Sequence, residues 1–109
     1  MAAVDRVKYM HAFLNDTRTQ VIVSLLRKRN NISGLLKEAS IRGVDRSTLC
    51  YHLNVLEEVG LISSKYVILE APHSKGRAGR LYEVNHKQLG NAVNAVKEMT
   101  RKVSDEASP

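Results

Sequence analysis

The chain has a single cysteine, no tryptophan, and aromatic side chains at only 5% of its 109 positions. One thiol excludes an internal disulfide and fits a reducing compartment. With one phenylalanine and four tyrosines, the core has to be aliphatic, built from Leu, Val, Ile and Ala. No apolar run reaches the roughly 18 residues that a membrane-spanning helix needs. The opening residues, Met1-Ala2-Ala3-Val4-Asp5-Arg6, lack the apolar stretch of a secretory signal, so a cytoplasmic location is expected. Internal repeats and low-complexity segments are also missing.

Catalytic groupings are scarce in the same way. No nucleophile has a base at a workable spacing, and no phosphate-binding glycine loop lies between a strand and a helix. Gly76-Arg77-Ala78-Gly79 sits between two strands instead. Cys50 and His52, two apart on a helix, point about 200° away from each other at about 100° per residue. His11, His73 and His86 stand alone in sequence, whereas zinc takes three or four ligands. No enzyme, metal or cofactor is expected.

Positive charge is what the chain has in excess. Seventeen Lys and Arg stand against eleven Asp and Glu, a net charge of +6, which favours an anionic partner such as nucleic acid or acidic lipid. Residues 1–41 hold seven basic and three acidic groups, and residues 42–87 hold seven and five. Residues 88–109 balance at three and three, so the last segment is not a polyanion-binding arm. The length suits one domain, expected over residues 1–104 with a disordered tail at 105–109.

The stretch from Asp45 to Ile62 reads as a helix marked at both ends. Asp45 can cap its start, and Gly60 can take the left-handed conformation that ends it. Leu49, Leu53 and Leu56 share one stripe. Arg46, Ser47, Cys50, Tyr51 and Asn54 face the other way. A solvated face usually carries Glu, Lys or Arg; a nearly neutral one of Ser, Tyr and Asn suits base edges. An ordinary surface helix with a few uncharged residues fits this segment equally well on its own.

The neighbouring segments supply context. Val4, Val7, Met10, Phe13 and Leu14 mark a first helix. After a break at Asn15-Asp16-Thr17, a second runs to about Arg29 and buries Val21, Ile22, Leu25 and Leu26. Ile32 can form a short strand, and Ser33 can cap a short third helix with Leu35, Leu36 and Ala39 inward. A short helix, a turn and a capped helix make a helix-turn-helix. Two β-rich runs follow, Leu61 to Leu69 and Arg80 to Val84, joined by a loop from Ala71 to Gly79 that contains Pro72, Gly76 and Gly79 and lies within a basic wing over 70–80. Lys75, Arg77 and Arg80 make that hairpin cationic, as a wing gripping phosphates would be. From Asn85 a last helix runs to about Val103. Its Leu89, Val93, Val96 and Met99 stripe, with Val7 and Met10 of the first helix, reads as the interface of a homodimer. Cys50 is read as a small side chain near the groove, and His52 as a packed, hydrogen-bonded one.

Ser47-Thr-Leu-Cys-Tyr-His-Leu-Asn-Val-Leu-Glu-Glu-Val-Gly-Leu-Ile62 resembles the recognition helix of the arsenical-resistance repressor (ArsR) family, Ser-x-Val-Ser-x-His-Leu-x-x-Leu-x-x-x-Gly-Leu-Val. Asp16-Thr17-Arg18 with Val21, Ile22 and Leu25 resembles that family's second helix, and Gly79 to Val84 its second wing strand. The likeness spans about residues 5–100. It implies an α+β, mostly α, winged helix-turn-helix of about five helices and a two-stranded wing, dimeric through its terminal helices. It also implies a regulator, in the repressor sense, that binds double-stranded DNA. The third helix lacks the Cys-x-Cys type of motif of metal-sensing members, and the last helix offers only Asn85, His86 and Asn94 at unsuitable spacing, so metal sensing is not implied. No small-molecule effector is indicated. Other readings of the same pattern are a protein-interaction module of the transcription machinery and a non-specific chromatin architectural protein.

Overall fold

Four helices begin on a short polar side chain that accepts a hydrogen bond from the free N–H three residues on, the interaction that offsets the unpaired amides of a first turn. Asn15 accepts from Arg18 N at 3.0 Å, Asn31 from Gly34 N at 2.7 Å, Asp45 from Thr48 N at 2.7 Å, and Asn85 from Gln88 N at 3.2 Å. These caps open α2 (Asp16–Arg27), α3 (Ile32–Leu36), α4 (Arg46–Glu58) and α5 (His86–Ala107). Helix α1 is Ala3–Phe13, and strands β1 (Ile62–Ile68) and β2 (Ala78–Val84) stand between α4 and α5. The structure, a computed structural model, describes residues 3–38, 41, 43–68 and 78–108.

The strands form an antiparallel pair in register from Ile62 opposite Val84 to Ile68 opposite Ala78. A single-residue bridge adds to β2: Asn30 and Tyr82 exchange both backbone hydrogen bonds, at 3.1 and 2.8 Å. The chain between α2 and α3 is thereby held against the sheet. Ile32 was the expected strand residue. Because Asn31 rather than Ser33 caps α3, Ile32 falls inside the helix and the pairing passes to Asn30.

The core gathers around α4. Leu49, Leu53 and Leu56 are fully buried, clustered with Val21, Ile22 and Leu25 of α2, Leu35 of α3, Leu61 just ahead of β1, and Ile62 and Tyr82 of the sheet. At about 25 cal/mol per Å² of apolar surface removed from water, this cluster is the main stabilising term of the fold.

Several expected positions differ. Leu26 is exposed, since the α2 face that meets α4 is taken by Val21, Ile22 and Leu25. Among the described side chains of α1, Tyr9 and Ala12 are buried and Val7, at 62% exposure, faces outward, as does Leu14 just past its end. The Tyr9 hydroxyl donates to Gln88 Oε1 at 3.1 Å and so orients α1 along α5. Leu89, expected at an interface between copies, is only 9% exposed and belongs to the chain's own core. It lies on the first turns of α5, which pack along α1 and join the core cluster.

Helix α5 continues to Ala107, past the expected end at Val103 and into the tail read as disordered. Nothing in Ser104-Asp105-Glu106-Ala107 breaks a helix, so backbone pairing propagates residue by residue. Its 22 residues span about 33 Å at 1.5 Å each. Residues 101–108 are all exposed. The molecule therefore measures 61 × 29 × 22 Å, with a radius of gyration of 16.1 Å, against about 13 Å for a compact domain of 100 residues. Among the described residues no helix is long and apolar enough to cross a membrane.

Candidate nucleic-acid interface

Helix α4 is locked at both ends and along one side. Asp45 closes its start, and the Thr48 N–H that it accepts holds its carboxyl below the usual aspartate range. At the other end Gly60 adopts φ +82°, and two reversed hydrogen bonds close the last turn: Gly60 N to Glu57 O and Leu61 N to Leu56 O, both 3.0 Å. Leu56 and Leu61, the apolar pair that accompanies this stop, are both fully buried. With its leucines in the core, the rod can present only its opposite face.

That face is the expected one. Arg46, Ser47, Tyr51 and Asn54 are exposed, Tyr51 at 59%, and Cys50 is half-buried. Arg46 Nη2 donates to Ser33 Oγ at 3.2 Å, which ties the start of α4 to α3.

Behind the face lies a contact that the sequence reading did not contain. Arg18 of α2 is buried at 5% exposure and reaches into α4. Its Nε donates to Ala12 O at 2.8 Å and its Nη2 to His11 O at 3.1 Å, two carbonyls near the negative end of α1. Its Nη1 lies 3.1 Å from His52 Nδ1. An arginine has no acceptor, so the imidazole accepts there and carries its proton on Nε2. Burial, and then the neighbouring guanidinium, hold the His52 pKa below the ordinary histidine value. His52 packs and hydrogen-bonds, as expected, and its ring meets Tyr51 edge-on at 5.4 Å.

The root of the wing is clamped to α4. Glu57 Oε2 accepts from Ser64 Oγ at 2.6 Å, and Glu57 Oε1 lies 3.6 Å from Arg80 Nη2. The Arg80 guanidinium sits 5.6 Å from the Tyr66 ring and 5.7 Å from the Tyr82 ring, within cation–π range. Burial pushes the Tyr82 phenol pKa up. Arg80 is thus brought beside the α4 face, whereas Lys75 and Arg77 lie outside the described residues. Between wing and helix start runs a groove of about 250 Å³ that includes Ser33, Arg46, Tyr66, Gly79 and Arg80. Tyr66 and Ser33 were not among the sequence candidates. An available signal was strand alternation, which puts Tyr66 on the face of Ile62 and Ser64.

On the far side, α1 and α5 leave an apolar strip. Met10, Leu14, Val96, Met99 and Val103 line a groove of about 290 Å³. Val7, Met10 and Met99 also border a neighbouring one of about 450 Å³ that reaches Arg18. Val93 packs against the core beside them, and Leu89 does not take part.

No family model matches the chain, and no curated protein matches it. Solved structures do. An ArsR family transcriptional regulator superposes with a TM-score of 0.70 at 19% identity, covering 99% of this chain and 98% of that one. An ArsR-like transcriptional regulator from Rhodococcus sp. RHA1 gives 0.65 at 22% identity over 94% and 86%. A MarR family regulator from Enterococcus faecalis V583 gives 0.61 at 13% identity over 90% and 84%. At these identities the likeness shows the fold, a winged helix-turn-helix found among transcriptional regulators.

Proposed function

We propose that the protein is a sequence-specific, double-stranded DNA-binding transcriptional regulator that acts as a homodimer, in the repressor sense. Helix α4 enters the major groove with Arg46, Ser47, Cys50, Tyr51 and Asn54 on its outward face. Ser47 and Asn54 hydrogen-bond base edges, and Tyr51 meets a phosphate or a thymine methyl. The wing, with Lys75, Arg77 and Arg80, holds the flanking backbone or minor groove.

One observation carries this reading. A rigid, capped helix exposes a nearly neutral polar face, while an arginine-bearing hairpin root is fixed beside the same face. Charge beside the face supplies affinity for any duplex, and the neutral groups supply choice among sequences. The dimer is supported by the α1–α5 strip of Val7, Met10, Val96 and Met99, which one chain leaves uncovered. Two-fold symmetry then calls for a near-palindromic site with half-sites about 10 bp, or a multiple, apart.

Selection from random duplexes, sequenced after binding, tests the proposal. The expected result is an enriched inverted repeat bound with a steep salt dependence. Binding without enrichment would leave a non-specific architectural protein. No salt-sensitive shift of any duplex would leave a protein-docking module.

A further inference from the structure

We propose that the groove at the wing root is a seat for one backbone phosphate, shared by Arg80 and Tyr66 on the wing and Arg46 and Ser33 on the helix side. In it Glu57 is the internal counter-ion that holds Arg80 until DNA arrives. The inference rests on the DNA-binding reading and adds the residues and the order of exchange.

The charges come first. Two guanidiniums, Arg46 and Arg80, border the groove, and Glu57 is the carboxylate paired with either among the described residues. Arg46 donates to a neutral hydroxyl only, Ser33 Oγ at 3.2 Å, and no carboxylate among the described residues pairs with it. The groove is left with an excess of positive charge, which a phosphate would neutralise.

The geometry of Arg80 favours exchange. Its Nη2 lies 3.6 Å from Glu57 Oε1 with 40% of the side chain exposed. A tight charge-assisted hydrogen bond is about 2.7–2.9 Å, and exposed pairs of this kind contribute little. Glu57 does not depend on Arg80, because its other oxygen accepts from Ser64 Oγ at 2.6 Å. When Arg80 turns to a phosphate, the carboxylate keeps that partner and the water at its exposed edge. The Tyr66 and Tyr82 rings, 5.6 and 5.7 Å from the guanidinium carbon, attract the cation without using its N–H donors.

Tyr66 explains itself on this reading. It stands directly opposite Arg80 in the strand register and is 72% exposed, a large ring that supports no core. Its ring fixes Arg80, and its hydroxyl can donate to the same phosphate oxygen.

The test replaces phosphates one at a time by neutral methylphosphonate in a duplex recovered by selection. Wild type, Arg80→Gln, Arg46→Gln, Tyr66→Phe and Glu57→Gln are compared. Wild type should lose roughly tenfold or more at one position per half-site, the worth of a hydrogen bond to a charged group. Arg80→Gln and Arg46→Gln should both become insensitive at that same position, and Tyr66→Phe partly so. Glu57→Gln should bind several-fold tighter, a gain that misfolding cannot produce. Responses of Arg80 and Arg46 at different phosphates, or weaker binding by Glu57→Gln, would overturn the seat while duplex binding itself stands. A wild-type protein that binds no duplex would overturn both readings together.

Discussion

Acidification should weaken this fold through His52 before it reaches the carboxylates. The imidazole is 8% exposed and accepts from Arg18 Nη1 at 3.1 Å. A proton on Nδ1 would remove that acceptor and set two cations together in the interior, so the folded pKa is lowered, chiefly by burial. In the unfolded chain the ring titrates near pH 6.5. Below that value the unfolded state binds a proton that the folded state refuses. Stability is therefore fully present above about pH 6.5 and falls as pH drops toward the depressed folded pKa. One proton sets the steepest slope at about 1.4 kcal/mol per pH unit. For a domain of typical stability, about 5–15 kcal/mol, a drop of that size is readily measured. Asp45 acts in a separate window. Its pKa is lowered by the Thr48 N–H, so its contribution is present above the carboxylate range and fails only below it. Urea unfolding followed by helical circular dichroism, from pH 7.5 to 5, gives the slope. His52→Gln keeps an acceptor near Arg18 and cannot titrate, so it should flatten the His52 share. A wild-type curve without slope in this window, or an equal slope in His52→Gln, would refute the reasoning.

Three further outcomes are expected. Asn54→Ala should cost on the order of 1–3 kcal/mol on the preferred duplex and relax base choice, whereas Arg77→Ala should weaken all duplexes alike and flatten the salt dependence; competition binding separates them. Gly60→Ala should lose about 1–2 kcal/mol from the left-handed backbone alone, because a Cβ there meets only Gln88 at 3.9 Å or beyond. That corresponds to a Tm lower by about 4–8 °C per kcal/mol, and a thermal melt reads it. Val7→Asp should leave the single-chain fold intact, since Val7 is exposed in it, yet shift sedimentation toward monomer. An unchanged sedimentation profile would remove α1 from the interface.

What could be read along the chain was governed by short-range rules. Asp45, Asn85 and Gly60 act within one helical turn, and Leu49, Leu53 and Leu56 follow the helical repeat, so α4 and its outward face were legible from residues alone. Other features depended on which surfaces meet. Helix α1 carries apolar groups on more than one side, and only packing against α5 chose Tyr9 and Ala12 over Val7 and Leu14. Leu89 was expected at an interface, and only the packing of the first turns of α5 put it in the core. The Arg18–His52 contact spans 34 positions, and Arg80 reaches Glu57 across the hairpin fold. Neither pair has a local spacing to betray it. Periodicity and capping are properties of a segment and its own backbone, so the sequence determined where α4 starts, stops and hides its leucines and where α5 begins. Partners of buried or clamped charges are set by distances between segments, and those exist only once the helices have packed.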